Sequence, residues 1–333
     1  MNEKLMMKSA VEIFAELGAR LADFGCDARS RIAVSEAVAA NGWFSEEDIC
    51  RAVEAFRSDM LREDLLREWL SSYELPTAAP CRVAVIMAGN IPLVGFFDLM
   101  CVVASGHTAV VKPSGKDRVL VEYVVTLLRE IEPSVRIELS DEAFPEADAV
   151  IATGNDNAKR SFKTAYSGRP QLLRGNRHSV AVLSGSETEQ QIAGLLSDMF
   201  DYSGLGCRSV SMVFVPRGYD LRLPARKMNP KYENNYRQTR AMLTMSGVGF
   251  VDTGSTLLVA GEEFPSAVSC ITVCEYDEIS DVESWLREHD GELQCVVSES
   301  VVHSRAADFG RAQHPRLQDY PDAVDVMSFL AAL

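Results

Sequence analysis

Arg82-Val-Ala-Val-Ile-Met-Ala-Gly-Asn90-Ile-Pro92, followed downstream by Thr108-Ala-Val-Val-Lys112, decides the fold. Neither apolar run alternates with polar residues. A strand with one wet face alternates, because successive side chains point to opposite sides; unbroken Val, Ile and Ala mean burial on both faces, as in a parallel sheet covered by helices. The pattern predicts a strand over 82–88, a helix over 92–104 and a strand over 108–111. That is a βαβ unit, so the fold class is α/β with a doubly wound parallel sheet.

Downstream the alternation continues, with a helix over 117–131, strands over 135–139 and 149–152, a helix over 156–166, a strand over 179–183 and a helix over 187–202. The last helix carries Ile192, Leu195, Leu196, Met199 and Phe200 at i, i+3, i+4, i+7 and i+8, with Ser186 and Glu189 reading as a capping box and Gly204 as the C-cap. A strand over 209–215 follows. The chain then reads as irregular from Pro216 to about Met245. Strands over 256–259, 267–274 and 293–297, with helices over 282–289 and near 301–309, predict a second, smaller α/β domain. Upstream, the first 75 residues read as helices: Val11, Phe14, Leu17 and Leu21 form one face, and Ser45 caps a helix bearing Ile49, Val53 and Phe56. Pro76-Thr-Ala-Ala-Pro80 breaks the pattern.

The 333 residues, at roughly 150 per domain, suggest about two domains. A net charge of −15, from 33 basic and 48 acidic residues, excludes a nucleic-acid clamp. Met1-Asn2-Glu3-Lys4 opens no apolar h-region, and the longest near-apolar stretch, 91–104, is too short to span a bilayer. The expectation is a cytoplasmic protein without a membrane span. Eight cysteines without a CxxC spacing support neither a disulfide framework nor a zinc ribbon, and the five histidines are scattered, so no metal site is expected.

No phosphate loop, HExxH, GxSxG or GxGxxG motif occurs. Asn90 follows a buried strand, at the edge where open α/β sheets bind ligands; its amide can donate two hydrogen bonds there, or cap the next helix. Lys112, ending the next strand, can reach a ribose hydroxyl or phosphate, or stay solvated. Cys207 lies in Tyr202-Ser-Gly-Leu-Gly-Cys-Arg208; its flanking glycines admit a ligand and Arg208 would favour the thiolate, while a structural thiol is the bland alternative. Between Asp156 and Glu187 there is no carboxylate but six cations, Lys159, Arg160, Lys163, Arg169, Arg174 and Arg177. Such a run suits a phosphorylated ligand or a solvated face.

Together Ala88-Gly-Asn-Ile-Pro-Leu-Val-Gly-Phe96, Ser105-Gly-His107, Lys112-Pro-Ser114, Ala152-Thr-Gly154, Gly204-Leu-Gly-Cys-Arg208 and Asp319-Tyr-Pro-Asp322 resemble the LuxC-type acyl-CoA reductases of the aldehyde dehydrogenase superfamily, from about Asn41 onward. The resemblance implies Cys207 as nucleophile and Asn90 as an oxyanion donor beside the Cys207 N–H. It places Lys112, Ser114, Gly154 and Glu263 at the cofactor, although Pro265-Ser-Ala267 departs from the usual Phe-Gly-Pro context after Glu263. It implies an N-terminal helical segment over 1–80, an NAD(P)-binding domain over 81–205, a catalytic domain over 206–300 and a segment over 301–333 packing back on both. The cofactor would be NADPH, with NADH as alternative: no acidic residue directly follows Ser114, and Lys116 is close by.

Two departures matter. Where aldehyde-oxidising members carry a glutamate before Gly-Gly, this chain reads Leu172-Leu-Arg174-Gly-Asn-Arg177, and the carboxylate-free run holds no replacement. The stretch from Cys207 to Glu263 is also short, so the substrate tunnel is reduced or completed by another subunit. The expected activity is reduction of an acyl-CoA or acyl-protein thioester to an aldehyde through an S-acyl-cysteine. Partners would be a second copy or an acyl-transfer subunit. A Cys-dependent acyltransferase or thioesterase, or a non-catalytic member of such a complex, is the alternative.

Overall fold

A computed structural model describes residues 8–77 and 79–333. The chain forms two compact units, one built from residues up to Gly175 together with Arg316–Leu333, the other from Asn176–Pro315.

In the first unit four helices precede the sheet: α1 (Ala10–Arg20), α2 (Ala28–Ala40), α3 (Glu46–Asp59) and α4 (Glu63–Leu70). Their starts are chemically marked. Ser9 and Glu12 form a reciprocal capping box, and Asp27 and Ser45 accept first-turn backbone N–H groups. Then come β1 (Arg82–Ile86), α5 (Phe96–Ser105), β2 (Thr108–Lys112), α6 (Arg118–Ile131), β3 (Ile137–Leu139), β4 (Ala149–Thr153), α7 (Asp156–Ala165) and β5 (Gln171–Arg174). The strands pair in the order β3-β2-β1-β4-β5, all parallel. Strand β1 shows why unbroken apolar runs mean two covered faces: Val83 and Val85 enter the core shared with α1–α6, while Ala84 and Ile86 enter a smaller one with Phe162 and Tyr166 of α7 and its end.

The C-terminal return closes this unit. Tyr320 accepts from Trp69 Nε1 (2.7 Å) and pairs with the Tyr73 hydroxyl (2.6 Å), which donates to Asp325 (3.0 Å). His107 is buried; its Nδ1 accepts from the Cys81 N–H (3.1 Å), so Nε2 carries the proton and donates to the Leu330 carbonyl (2.9 Å).

The second unit contains β6 (His178–Val182), α8 (Glu189–Phe200), β7 (Val210–Pro216), α9 (Pro230–Met245), β8 (Val251–Asp252), β9 (Leu257–Ala260), β10 (Cys270–Tyr276), α10 (Ile279–Glu288), β11 (Leu293–Val297) and β12 (Ala306–Ala307). The sheet order is β12-β11-β6-β7-β10-β9-β8, parallel except for the β8–β9 edge. The boundary therefore falls at Gly175/Asn176, not at 205/206: β6 pairs with β7 and β11, and α8 leaves with it. Only Arg316–Leu333 returns to the first unit, so the tail segment starts later than 301.

Five expectations about individual elements are corrected. Helix α5 begins at Phe96, because residues 91–95 form a turn with Leu93 at φ 55°. The capping box of α8 is Thr188 with Gln191, not Ser186 with Glu189: the helix starts at Glu189 and the Ser186 hydroxyl pairs with that of Ser184 (2.9 Å); its C-cap is Asp201, not Gly204. Residues 230–245 are helical, and residues 301–309 are turns with the short strand β12, where Val302 is wholly exposed. Strand β5 was unforeseen. Among the described residues no helix is long and apolar enough to cross a membrane.

Strand β5 ends in a buried ion pair, Arg174 Nη1 to Asp98 Oδ2 at 2.5 Å, both about 5% exposed. Among the described residues Asp98 Oδ1 and Arg174 Nε and Nη2 have no hydrogen-bond partner. Removing one member strands a buried charge, whereas replacing both with apolar groups need not. Asp98→Ala is expected to lower the unfolding free energy by about 3–5 kcal/mol, and the double variant Asp98→Leu/Arg174→Met by much less, read from urea denaturation curves.

Candidate active site

In the first unit the candidate residues gather where parallel strands end. Strand β1 lies between β2 and β4 with Ile86 opposite both Lys112 and Ala152, so the segments carrying Asn90, Lys112, Ser114 and Gly154 leave adjacent strand ends. Beyond β1 the order runs to β2 and β3 on one side and to β4 and β5 on the other. This is a topological switch point, the crevice in which open α/β sheets hold ligands.

The Asn90 segment is held from several sides. Asn41 Nδ2 donates to the Gly89 carbonyl (3.4 Å), Met87 N–H to the Lys112 carbonyl (3.0 Å) and Leu93 N–H to Asp117 Oδ2 (2.9 Å). Asp117 stands at the N-cap position of α6 but makes no cap; its carboxyl turns to Leu93 instead, and burial pushes it well above the usual carboxylate range. Leu93 at φ 55° is strained for an L residue, and the Asp117 bond helps keep it there. Asn90 is exposed and does not cap α5, whose N-cap is Gly95.

The glycines let neighbouring parts of the chain close on the strand ends. A Cβ on Gly89 would lie 2.5 Å from Ser114 Oγ, and one on Gly154 would lie 2.8 Å from Ala158 Cβ. Lys112 is half-buried beside them and, among the described residues, makes no ion pair. Lys112 and the Ser114 hydroxyl are donors of the kind that a ribose or phosphate needs, so the chemistry of the donor set fits a dinucleotide.

The cationic run does not form one face. Arg174 is spent on Asp98, Arg169 donates to the Ala147 carbonyl (2.5 Å), and Arg177 lies in the second unit, donating to the Leu293 carbonyl (3.3 Å). Nor is the region free of carboxylate in space: a Cβ on Gly175 would lie 2.3 Å from Asp156 Oδ1.

In the second unit Cys207 is exposed, at the second position of a β-turn closed by Ser209 N–H to the Gly206 carbonyl (3.0 Å). Its own carbonyl accepts from the buried Ser179 hydroxyl (2.8 Å). Just before it Tyr202, Ser203 and Gly204 hold φ 55°, 56° and 68° in succession. Two left-handed non-glycine residues in a row are costly and need support from their surroundings; Tyr202 and Ser203 are both buried. Sequence reasoning found the glycines and Cys207 but not Ser179, whose partner is 28 residues away.

Glu263 is exposed on the β9–β10 loop, at a cavity of about 330 Å³ lined also by Leu243, Val259, Phe264 and Cys270. Phe264 stacks flat on His178, ring centroids 4.1 Å apart, and Thr272 Oγ1 donates to the Glu263 carbonyl (2.8 Å). The stack is the second role that sequence reasoning missed.

A family model described as Acyl-CoA reductase (LuxC) matches residues 35–224, which span both the Asn90 and the Cys207 segments. The chain belongs to the LuxC acyl-CoA reductase family. Malonate-semialdehyde dehydrogenase 2 of Shouchella clausii (strain KSM-K16) is 27% identical over 147 residues, 40% of this chain and 30% of that protein. This chain thus matches under a third of that curated relative. An aldehyde dehydrogenase of Mycobacterium tuberculosis complexed with NAD+ superposes with a TM-score of 0.58 at 14% identity, covering 83% of this chain and 70% of that one. An acetylating aldehyde dehydrogenase from Geobacillus thermoglucosidasius gives 0.61 at 11%, covering 91% and 81%. At these identities the likeness shows the fold, so this LuxC-family chain has an aldehyde dehydrogenase-like α/β fold.

Behind the Cys207 turn, Asp198 of α8 is 1% exposed and burial pushes its carboxyl up to about 6, despite the Gly310 and Ala312 N–H groups that donate to it; Asp201 adds to the rise and His314 opposes it. A folded-state value above the unfolded one means that the unfolded chain binds fewer protons between about pH 4 and 6, so this group's contribution to stability falls as pH rises through that window. The slope is at most about 1.4 kcal/mol per pH unit. Denaturation curves at pH 4, 5 and 6 should show it in the native protein and lose it in Asp198→Asn.

Proposed function

We propose that the chain is an NAD(P)H-dependent acyl thioester reductase that forms an aldehyde through an S-acyl intermediate on Cys207. The observation that carries this reading is an exposed cysteine on a turn fixed by Ser179, behind a strained left-handed backbone, inside the segment matched by the acyl-CoA reductase family.

The Cys207 thiolate attacks the thioester carbonyl; the tetrahedral oxyanion collapses, the carbonyl carbon–sulfur bond to CoA or a carrier thiol breaks, and that thiolate leaves and takes up a proton. A reduced nicotinamide dinucleotide, NADPH or NADH, would when bound supply the hydride that the acyl carbon needs. The second oxyanion expels the Cys207 thiolate as the aldehyde forms. Splitting the reaction gives two easier steps, and the Asn90 amide with the Cys207 N–H would stabilise the oxyanion in both. Lys112, Ser114 and Gly154 would hold the dinucleotide at the switch point, with Glu263 on its nicotinamide ribose. The absence of a carboxylate from Leu172 to Arg177 supports reduction over hydrolysis. Asp156 against Gly175 is the observation that favours the hydrolytic alternative, a thioesterase on the same scaffold.

The test is absorbance at the reduced-nicotinamide band, with acyl-CoAs of graded length and both cofactors, alongside assay of the free acid. Cofactor oxidation with aldehyde release is expected. Asn90→Ala should lower kcat by on the order of 10²–10³, and Cys207→Ala should abolish acyl labelling. Acid formation without cofactor oxidation would establish the thioesterase instead, and full activity in Cys207→Ala would overturn the mechanism.

A further inference from the structure

The nucleophile turn is held not only by its own chain but also by a loop more than a hundred residues downstream. We propose that Ser209 and Gln313 are positioning residues for Cys207, and that the Asp198 carboxylate docks the loop carrying Gln313 onto helix α8. The proposal rests on Cys207 being the acyl acceptor.

Ser209 is 4% exposed and its Oγ accepts two hydrogen bonds, from the Gly206 N–H (3.2 Å) and from Gln313 Nε2 (3.1 Å). A Cβ on Gly206 would lie 3.4 Å from Ser209 Oγ and 3.6–3.7 Å from the Gln313 amide, so that amide flanks the residue immediately before the nucleophile. The Gln313 loop is built onto α8 in turn. Gly310 N–H donates to Asp198 Oδ2 (2.7 Å) and Ala312 N–H to Asp198 Oδ1 (2.9 Å). The two backbones meet there: a Cβ on Gly194 of α8 would lie 2.7 Å from the Phe309 carbonyl carbon and 2.8 Å from Gly310 N, and Gly310 itself holds φ 80°.

Helix α8 therefore reaches the Cys207 turn twice. Along the chain it leads through the left-handed Tyr202–Gly204 segment; laterally it acts through Asp198, the 310–312 backbone, Gln313 and Ser209. The lateral route ends on the Gly206 N–H, in the Leu205–Gly206 peptide, while Ser179 holds the carbonyl of the Cys207–Arg208 peptide, so the two peptides that bracket the Gly206–Cys207 bond are both held, one by Ser179 and the other, through Ser209, by Gln313. A turn so held sets the direction in which the Cys207 Cα–Cβ bond leaves the backbone, and a shift of about 1 Å in such an arrangement costs about 10² in rate. A bare thiol on a loose turn would react with small electrophiles equally well but would acylate slowly.

The readout is the S-acylation of Cys207 by octanoyl-CoA without nicotinamide, followed as mass gain of the intact protein, with iodoacetamide alkylation of the same cysteine and thermal melting alongside. Gln313→Ala and Ser209→Ala should lower the saturating acylation rate by about 10-fold or more. The half-saturating octanoyl-CoA concentration and the iodoacetamide rate should stay within about two-fold, and Ser209→Thr, which keeps the hydroxyl, should recover most of the rate. Should buried Ser209→Ala fail to fold, half-buried Gln313→Ala decides. Native acylation rates in these variants overturn the proposal, as does an equal fall in acylation and iodoacetamide rates, which would mean a general loss of thiol reactivity. Acylation that persists in Cys207→Ala overturns the assignment of the nucleophile itself, and is distinguished by that variant alone.

Discussion

Two buried carboxylates, Asp117 and Asp198, hold loops of this protein, and a third, Asp98, ties a helix to a strand. Burying an ionised carboxylate costs several kcal/mol unless it is paired or hydrogen-bonded. Asp98 meets the cost with Arg174, Asp117 is held by a single backbone donor from Leu93 with its carboxyl pushed far up, and Asp198 takes two backbone donors, from Gly310 and Ala312. An apolar residue would fill each space more cheaply. What it would not do is bind a backbone N–H in a segment that has no regular structure of its own. Asp117 and Asp198 both act on loops, and each of those loops leads to a segment on which the proposed chemistry depends: Asn90 in one case, the Cys207 turn in the other.

The reason such clamps are needed is visible in the backbone. Among the described residues the non-glycine residues at positive φ are Leu93, Tyr202, Ser203, Asp322 and Ala323. Each costs on the order of 1–3 kcal/mol and persists only where its surroundings over-determine it. They are not scattered: Leu93 lies in the Asn90 segment, Tyr202 and Ser203 directly before Gly204-Leu-Gly-Cys-Arg208, and Asp322 and Ala323 at the end of Asp319-Tyr-Pro-Asp322. Those are segments through which the sequence resembles its family. The third, through Tyr320, is tied to Trp69, Tyr73 and Asp325 rather than to a ligand, so strained backbone here accompanies both the proposed site and the closure of the first unit.

Burial on two faces is written in composition, which is why β1, β2, β4 and β11 were legible in the sequence to within two residues at either end. Helix α9 was not, because it buries only Tyr232 and Thr239 and has no apolar stripe to give a period; its signals were the Asn229 cap and Pro230 at the start. Strand β5 was hidden by Arg174, a residue that reads as surface until Asp98, 76 positions earlier, is brought against it. The apparent helix near 301–309 fails because its apolar residues share no face: Val301 is buried and Val302 fully exposed. At the site the same division holds. Glycine spacing pointed to Cys207, but the hydroxyls and the amide that orient it come from Ser179, Ser209 and Gln313, ordinary residue types whose meaning lies in contacts up to 104 positions apart.

The cationic run between Asp156 and Glu187 shows how far sequence proximity can mislead about a charged ligand. A buried, neutralised pair contributes little field at a distance, so Arg174 adds almost nothing to the strand edge once Asp98 is against it. Arg169 serves the Ala147 carbonyl, and Arg177 belongs to the other unit. At the ends of the parallel strands Lys112 remains, with Lys116 exposed four residues on, and Lys159 in the first turn of α7, whose stem lies against Gly175 beside that turn's own acid, Asp156. On the proposed reading, a pyrophosphate at this edge would draw on backbone N–H groups at the strand ends as well as on these lysines. On the same reading, discrimination between NADPH and NADH would fall to the short segment from Lys112 to Lys116, where a 2′-phosphate would find a second cation and a bare ribose would find Ser114.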